Sequence, residues 1–251
     1  MCVDFGDVCP AGRTDARSAH VCLRQGVTMD DETTDAAMAG EFATETLDYD
    51  GGRPVTVYIP PARPEAIVFA GDGQSTRRRV QALDAGTAES TMVVGTHRSA
   101  DETVRLQEYS PPIAPERFAA HERFFVGDVR RWVASRFGVD LPPARTAVFG
   151  VSAGAELALA LGLRHPSIYG VALGASPGAG YRPPVTMPVQ LPRVYLVAGT
   201  SESFFLENAA RWATALHGAG ADVVMHERDG SHGGAFWNTE LSLMVRWAFG
   251  K

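Results

Sequence analysis

Six short apolar runs constrain this chain more than any other feature. They are Ala66-Ile67-Val68-Phe69-Ala70, Thr91-Met92-Val93-Val94-Gly95, Thr146-Ala147-Val148-Phe149-Gly150, Val171-Ala172-Leu173, Val194-Tyr195-Leu196-Val197-Ala198 and Asp222-Val223-Val224-Met225-His226. The runs at 66–70 and 91–95, short and apolar, suit strands buried on both faces, and the other four read as strands too. An earlier segment, Val55-Thr56-Val57-Tyr58-Ile59, alternates instead and stops at Pro60-Pro61, as a half-buried strand does. Between the runs lie segments of helical period, at about 115–137, 153–163, 204–217 and 237–249. Strands alternating with helices of this length predict right-handed crossovers. The fold class is therefore α/β, with a mostly parallel sheet covered by helices on both faces.

This pattern covers residues 46–251 without an internal linker, so one domain is expected there, of ordinary length for an α/β domain. Residues 1–45 show neither period and are rich in Asp, Thr, Ala and Gly, which predicts an extension that is largely disordered. Cys2, Cys9 and Cys22 all fall inside it. Their spacing fits no usual zinc site, and an odd number does not make a disulfide framework, so no metal site is expected. Met29 is a candidate alternative start.

A net charge of −6 argues against a nucleic-acid partner, which usually calls for a basic patch. The run Arg77-Arg78-Arg79 reads as a solvated helix start. No stretch of about 18 apolar residues exists, so no membrane partner is expected, and the acidic, broken N-terminus does not look like a secretory signal. The expected location is cytoplasmic. The sequence leaves the oligomeric state open.

Gly150-Val151-Ser152-Ala153-Gly154 fits G-x-S-x-G between a strand and a helix, the context of a nucleophile elbow. A second match, Gly174-Ala175-Ser176-Pro177-Gly178, competes with it. The residue after a nucleophile must lend its backbone N–H to the oxyanion hole. Ala153 has one and Pro177 has none. Gly178, Gly180 and Pro183-Pro184 also oppose a helix after Ser176. Ser152 is therefore the expected nucleophile, with Ala153 as an oxyanion donor, and Ser176 is read as a turn residue whose loss would be silent.

With this elbow the fold expected is the α/β-hydrolase fold, in which the acid and then the histidine follow the serine along the chain. His232 alone lies after the last strand, in a glycine-flanked loop, and is the expected general base. Glu202, just past the strand that ends at Gly199, is the expected acid, with Asp222 and Asp229 as alternatives. The second oxyanion donor is expected on the Gly71-Asp72-Gly73-Gln74 turn, at the N–H of Gly73 or Gln74. The Gly- and Pro-rich stretch between Val171 and Val194 has no helical pattern, so no large lid is expected. Phe204, Phe205 and Trp237 are candidates to line an open site.

At these residues the chain resembles the putative-esterase family of α/β-hydrolases, which includes enterochelin-esterase-like enzymes and relatives of esterase D. Asp72-Gly73-Gln74 resembles the family's D-G-x loop, and Arg105-Leu106-Gln107-Glu108-Tyr109 its R-x-x-E-L element. Gly199-Thr200-Ser201-Glu202 is similar to its acid turn, and Gly230-Ser231-His232 through Trp237 to its G-G-H-D-x-x-x-W ending. The chain departs from that pattern at Ala153, where a second glycine is usual, and at Gly233, where aspartate is. The resemblance implies a serine esterase acting on a small-molecule ester, either a siderophore-type lactone or an aryl or short-acyl ester, without metal or organic cofactor. Arg105, at a strand-end loop, is expected to bind substrate and influence substrate choice together with Trp237, with a structural ion pair to Glu108 or another carboxylate as the alternative for Arg105. An acyltransferase using the same triad, or a silent relative that only binds, are the alternative readings.

Overall fold

A computed structural model describes residues 40–83, 87 and 90–250. The three cysteines and most of the expected extension lie outside these residues. Eight strands form one sheet: β1 Glu41–Leu47, β2 Arg53–Ile59, β3 Ala66–Ala70, β4 Thr91–Thr96, β5 Thr146–Val151, β6 Val171–Ala175, β7 Arg193–Gly199 and β8 Val223–Arg228. Their order is β1-β2-β4-β3-β5-β6-β7-β8. β1 and β2 are antiparallel to each other, as are β2 and β4, and every other pairing is parallel.

The apolar runs form strands because both faces of the sheet are covered. On β3, Ile67 and Phe69 pack into one core, while Ala66, Val68 and Ala70 pack into the other. The first core lies under α2 Glu102–Tyr109, α3 Pro115–Arg123, α4 Arg130–Phe137, α5 Ala153–Arg164 and α6 Ser203–Gly218. It holds Phe118, Phe124, Phe125, Leu157, Leu161 and Trp212. The second lies under α1 Thr76–Gln81 and α7 Phe236–Phe249, and takes Val80, Leu241, Met244 and Val245.

The structure differs from the sequence expectation in three places. Strand structure is already present at Glu41, ahead of the Thr46 expected, because β1 pairs along its whole length with β2. β1 is an edge strand with no fully buried residue, so its apolar signal is weak. The helix expected over 115–137 carries a π-helical stretch, Phe124–Val129, between α3 and α4. The helix start expected at Arg77–Arg79 lies in α1 but is not wholly solvated, since Arg79 is buried, and α2 was not legible, since its buried face uses Arg105 and Glu108.

From β3 the chain winds to β4 on one side and reaches β5 on the other. This is a topological switch point, and ligands of open α/β sheets bind outside the carboxyl ends of such strands. The loops after β3 and β5 therefore meet where a site is expected. Residues 176–192, between β6 and β7, contain neither helix nor strand, so no lid crosses this edge.

Candidate active site

β5 ends at Val151, and Ser152 takes φ 56° and ψ −124°, a conformation L-residues rarely adopt. Glycine is required just before it, since a Cβ on Gly150 would lie 1.9 Å from the carbonyl oxygen of Gly154. α5 starts at the next residue, so Ser152 sits at its positive end.

Ser152 Oγ lies 3.1 Å from His232 Nε2, and His232 Nδ1 lies 2.7 Å from Glu202 Oε2. The Glu202 carboxylate can only accept, so Nδ1 carries the proton and Nε2 is free to receive one from Ser152. The imidazole stacks on Phe205, with ring centroids 3.6 Å apart, and meets the edge of Trp237 at 4.7 Å. Phe204 is exposed and touches Phe205, one ring removed from His232.

Glu202 is buried at the start of α6. Its Oε1 accepts the Gly199 N–H and the Ser176 hydroxyl, each at 2.5 Å. Ser176 in turn accepts the indole N–H of Trp237 at 2.9 Å. The sequence reading of Ser176 as an idle turn residue is thus corrected: it is wholly buried and holds the carboxylate that faces His232. The missed signal was register. Gly150 pairs with Gly174 and Val151 with Ala175, which sets the second motif beside the first. Trp237 likewise serves this network from the first turn of α7. The alternative acids are engaged elsewhere: Asp222 pairs with Arg193 at 2.8 Å, and Asp229 accepts from Thr200 at 3.1 Å.

The turn after β3 packs directly on the elbow. Asp72, at φ 52°, has its Oδ2 3.2 Å from where a Cβ on Gly154 would stand. Gly73 is pressed against β4, where a Cβ would lie 2.1 Å from the Gly95 carbonyl oxygen. Among the described residues, the N–H groups of Gly73, Gln74 and Ala153 donate to no backbone acceptor. Tyr109 accepts the Asp72 N–H at 2.8 Å, and Arg79 donates to the Gly71 carbonyl at 2.6 Å.

Arg105 is held in ion pairs. Its Nε and Nη2 grip Asp72 at 2.8 and 2.9 Å, and Nη1 donates to Glu102 at 2.7 Å. With its donors committed in this bidentate pair, Arg105 braces the turn, as the alternative reading of a structural ion pair with a carboxylate expects. Among the described residues no cluster of His, Cys, Asp and Glu could hold a metal ion, and no helix is long and apolar enough to cross a membrane.

A family model described as "Putative esterase" matches residues 50–248. No match was found among curated proteins. Among solved structures, a ferulic acid esterase is similar at 14% identity and a TM-score of 0.66, over 83% of this chain and 97% of that one. The enterobactin esterase of Shigella flexneri, solved with 2,3-dihydroxy-N-benzoyl-serine, is similar at 19% identity and a TM-score of 0.67. That match covers 83% of this chain but 59% of the larger enzyme. An S-formylglutathione hydrolase of Staphylococcus aureus is similar at 13% identity and a TM-score of 0.61, over 83% and 97% of the two chains. These structures share the α/β-hydrolase fold with this chain.

Proposed function

We propose a mechanism from a premise the family match supplies: this chain belongs to the Putative esterase family and is a carboxylic-ester hydrolase. The observation that carries the mechanism is the hydrogen-bond chain from Ser152 through His232 to Glu202. His232 Nε2 takes the Ser152 proton as Oγ attacks the ester carbonyl. The tetrahedral oxyanion is held by the N–H of Ala153 and an N–H of the Gly73–Gln74 turn. His232 then gives its proton to the departing alcohol, leaving an acyl-enzyme on Ser152. Water, activated by the same imidazole, attacks that acyl group and releases the acid. Glu202 keeps Nδ1 protonated and stabilises the imidazolium that forms twice per cycle.

The open carboxyl edge of the sheet favours a small ester that approaches without a lid. The similar structures suggest the trial panel: a ferulate ester, enterobactin, S-formylglutathione and simple aryl esters of short acids. A fluorophosphonate probe should label Ser152 in the intact chain, and hydrolysis should release acid and alcohol in equal amounts. Absence of both labelling and turnover across the panel would overturn this reading. Transfer of the acyl group to an added alcohol in preference to water would replace hydrolysis with acyl transfer.

A further inference from the structure

Beside the nucleophile a cleft of about 200 Å³ opens between the turn after β3, helix α1 and the start of α7. Its lining includes Val151, the residue before Ser152, and Trp237, whose ring meets the His232 imidazole at 4.7 Å. The rest of its lining is dominated by arginine: Arg78, Arg79, Arg98 and Arg105. Two carboxylates are at hand. Asp72 is gripped by Arg105, and Glu102 is shared by Arg98 and Arg105. Arg98 also approaches Asp72, at 3.9 Å.

Arg78 and Arg79 have no carboxylate partner among the described residues. Arg79 is 7% exposed, donates to the Gly71 carbonyl, and lies over the Phe149 ring at 5.2 Å. Burial pushes its pKa down, while the nearby Asp72 carboxylate acts in the opposite direction. Arg78 is exposed at the rim. The tract read from the sequence as a solvated helix start is therefore split: Arg77 covers the Phe42 ring, while its two neighbours face the cleft.

We infer that this cleft is an anion subsite, and that Ser152 acts best on carboxylic esters bearing a carboxylate on the part that enters it. Arg78 and Arg98 receive the carboxylate at the rim, and Arg79 supplies a fixed positive charge in the wall. Guanidinium is suited to this because its planar donors match a carboxylate pairwise. Beside a chain of net charge −6, a local surplus of positive charge also gathers anionic substrates that the protein as a whole repels. The inference rests on the esterase reading and adds a substrate class to it.

The test compares two aryl esters of equal length, mono-4-nitrophenyl glutarate and 4-nitrophenyl valerate. The ratio of kcat/KM, anionic over neutral, should be about 10 or more in the intact chain at low salt, and should fall as ionic strength rises. In Arg78→Gln combined with Arg98→Gln the ratio should drop to about one, and Arg78→Glu alone should lower it below that of Arg78→Gln. Arg131→Gln, an exposed arginine on α4 outside the cleft, removes a positive charge as Arg78→Gln does and should leave the ratio as it was. A ratio near one in the intact chain, or one indifferent to Arg78, overturns the subsite while hydrolysis of both esters leaves the esterase reading standing. Failure to cleave either ester, with no labelling of Ser152, overturns both.

Discussion

Two G-x-S-x-G turns stand side by side at the carboxyl edge of one sheet, in register through Gly150–Gly174 and Val151–Ala175. Both serines have left-handed backbone, with φ 56° and 50°. Both anchor their N–H on the next strand, Ser152 on Ala175 at 2.9 Å and Ser176 on Val197 at 2.7 Å. They part at the next residue. Ala153 opens a twelve-residue helix and keeps a free N–H, whereas Pro177 has no N–H and leads into an irregular segment. Ser152 is half-buried and reaches His232, while Ser176 is sealed from solvent and reaches Glu202. In the proposed mechanism, one residue past the serine thus separates the hydroxyl that attacks from one that holds another group in place.

The largest effects should separate the two turns. Ser152→Ala should lower kcat on the order of 10⁶-fold with the fold intact, as expected when a nucleophile is deleted. Next is Glu202→Gln, which keeps the shape but removes the charge that His232 faces. By analogy with the neutralised acid of serine proteases, kcat should fall on the order of 10⁴-fold, with KM far less affected. Asp229→Asn should do little, because Asp229 is engaged with Thr200. If Asp229→Asn collapses kcat while Glu202→Gln does not, the role of Glu202 is wrong.

Ser176→Ala should come third, with kcat down roughly 10-fold and KM nearly unchanged. The carboxylate keeps the Gly199 N–H but loses a charge-assisted hydrogen bond, typically about 1.5–3 kcal/mol, part of which reaches the transition state. Trp237→Phe should give a smaller loss of the same kind, since it removes only the donor to Ser176. Wild-type kcat in Ser176→Ala would return Ser176 to the idle role that its sequence suggests.

How far the sequence could be read follows the same division. The buried parallel strands announced themselves because both their faces are apolar, and the elbow because glycine and serine there answer a steric demand. β1 did not, being an edge strand whose Glu41, Thr44 and Thr46 carry no burial signal. Helix α2 hid because its inward Arg105 and Glu108 are charged and paired across the fold. Glu108, for one, accepts from Arg53, Arg117 and Tyr49. At the site, the serine, acid and histidine of the expected fold follow a chain order, and Ser152, Glu202 and His232 fit it. The residues packed behind them follow no such order. The oxyanion-donor argument that separates Ser176 from Ser152 says nothing of the Ser176 hydroxyl, and the sequence offers an ion pair for Arg105 without showing that Asp72 is its partner, which is a fact of three dimensions.

The smallest effect is one of stability, and it should differ in sign between the turns. At Ser152 the backbone is in a glycine-like conformation that costs a serine on the order of 1–3 kcal/mol. Ser152→Gly relieves that, against about 0.5–1 kcal/mol of added chain entropy in the unfolded state. The hydroxyl it removes is hydrogen-bonded only to the exposed His232. The net gain should be about 1 kcal/mol, or roughly 2–4 °C in Tm for a chain of this size. At Ser176 the same replacement relieves a positive φ but strips Glu202 of a buried donor and the Trp237 indole of its acceptor. Leaving such groups unmatched costs about 1–3 kcal/mol each. Ser176→Gly should therefore lower Tm by several degrees. Thermal unfolding of the two variants beside the parent chain decides the matter. A fall in both would mean that the strain at Ser152 is already relieved in solution, and a rise in both would mean that the Ser176 hydrogen bonds carry less than their burial implies.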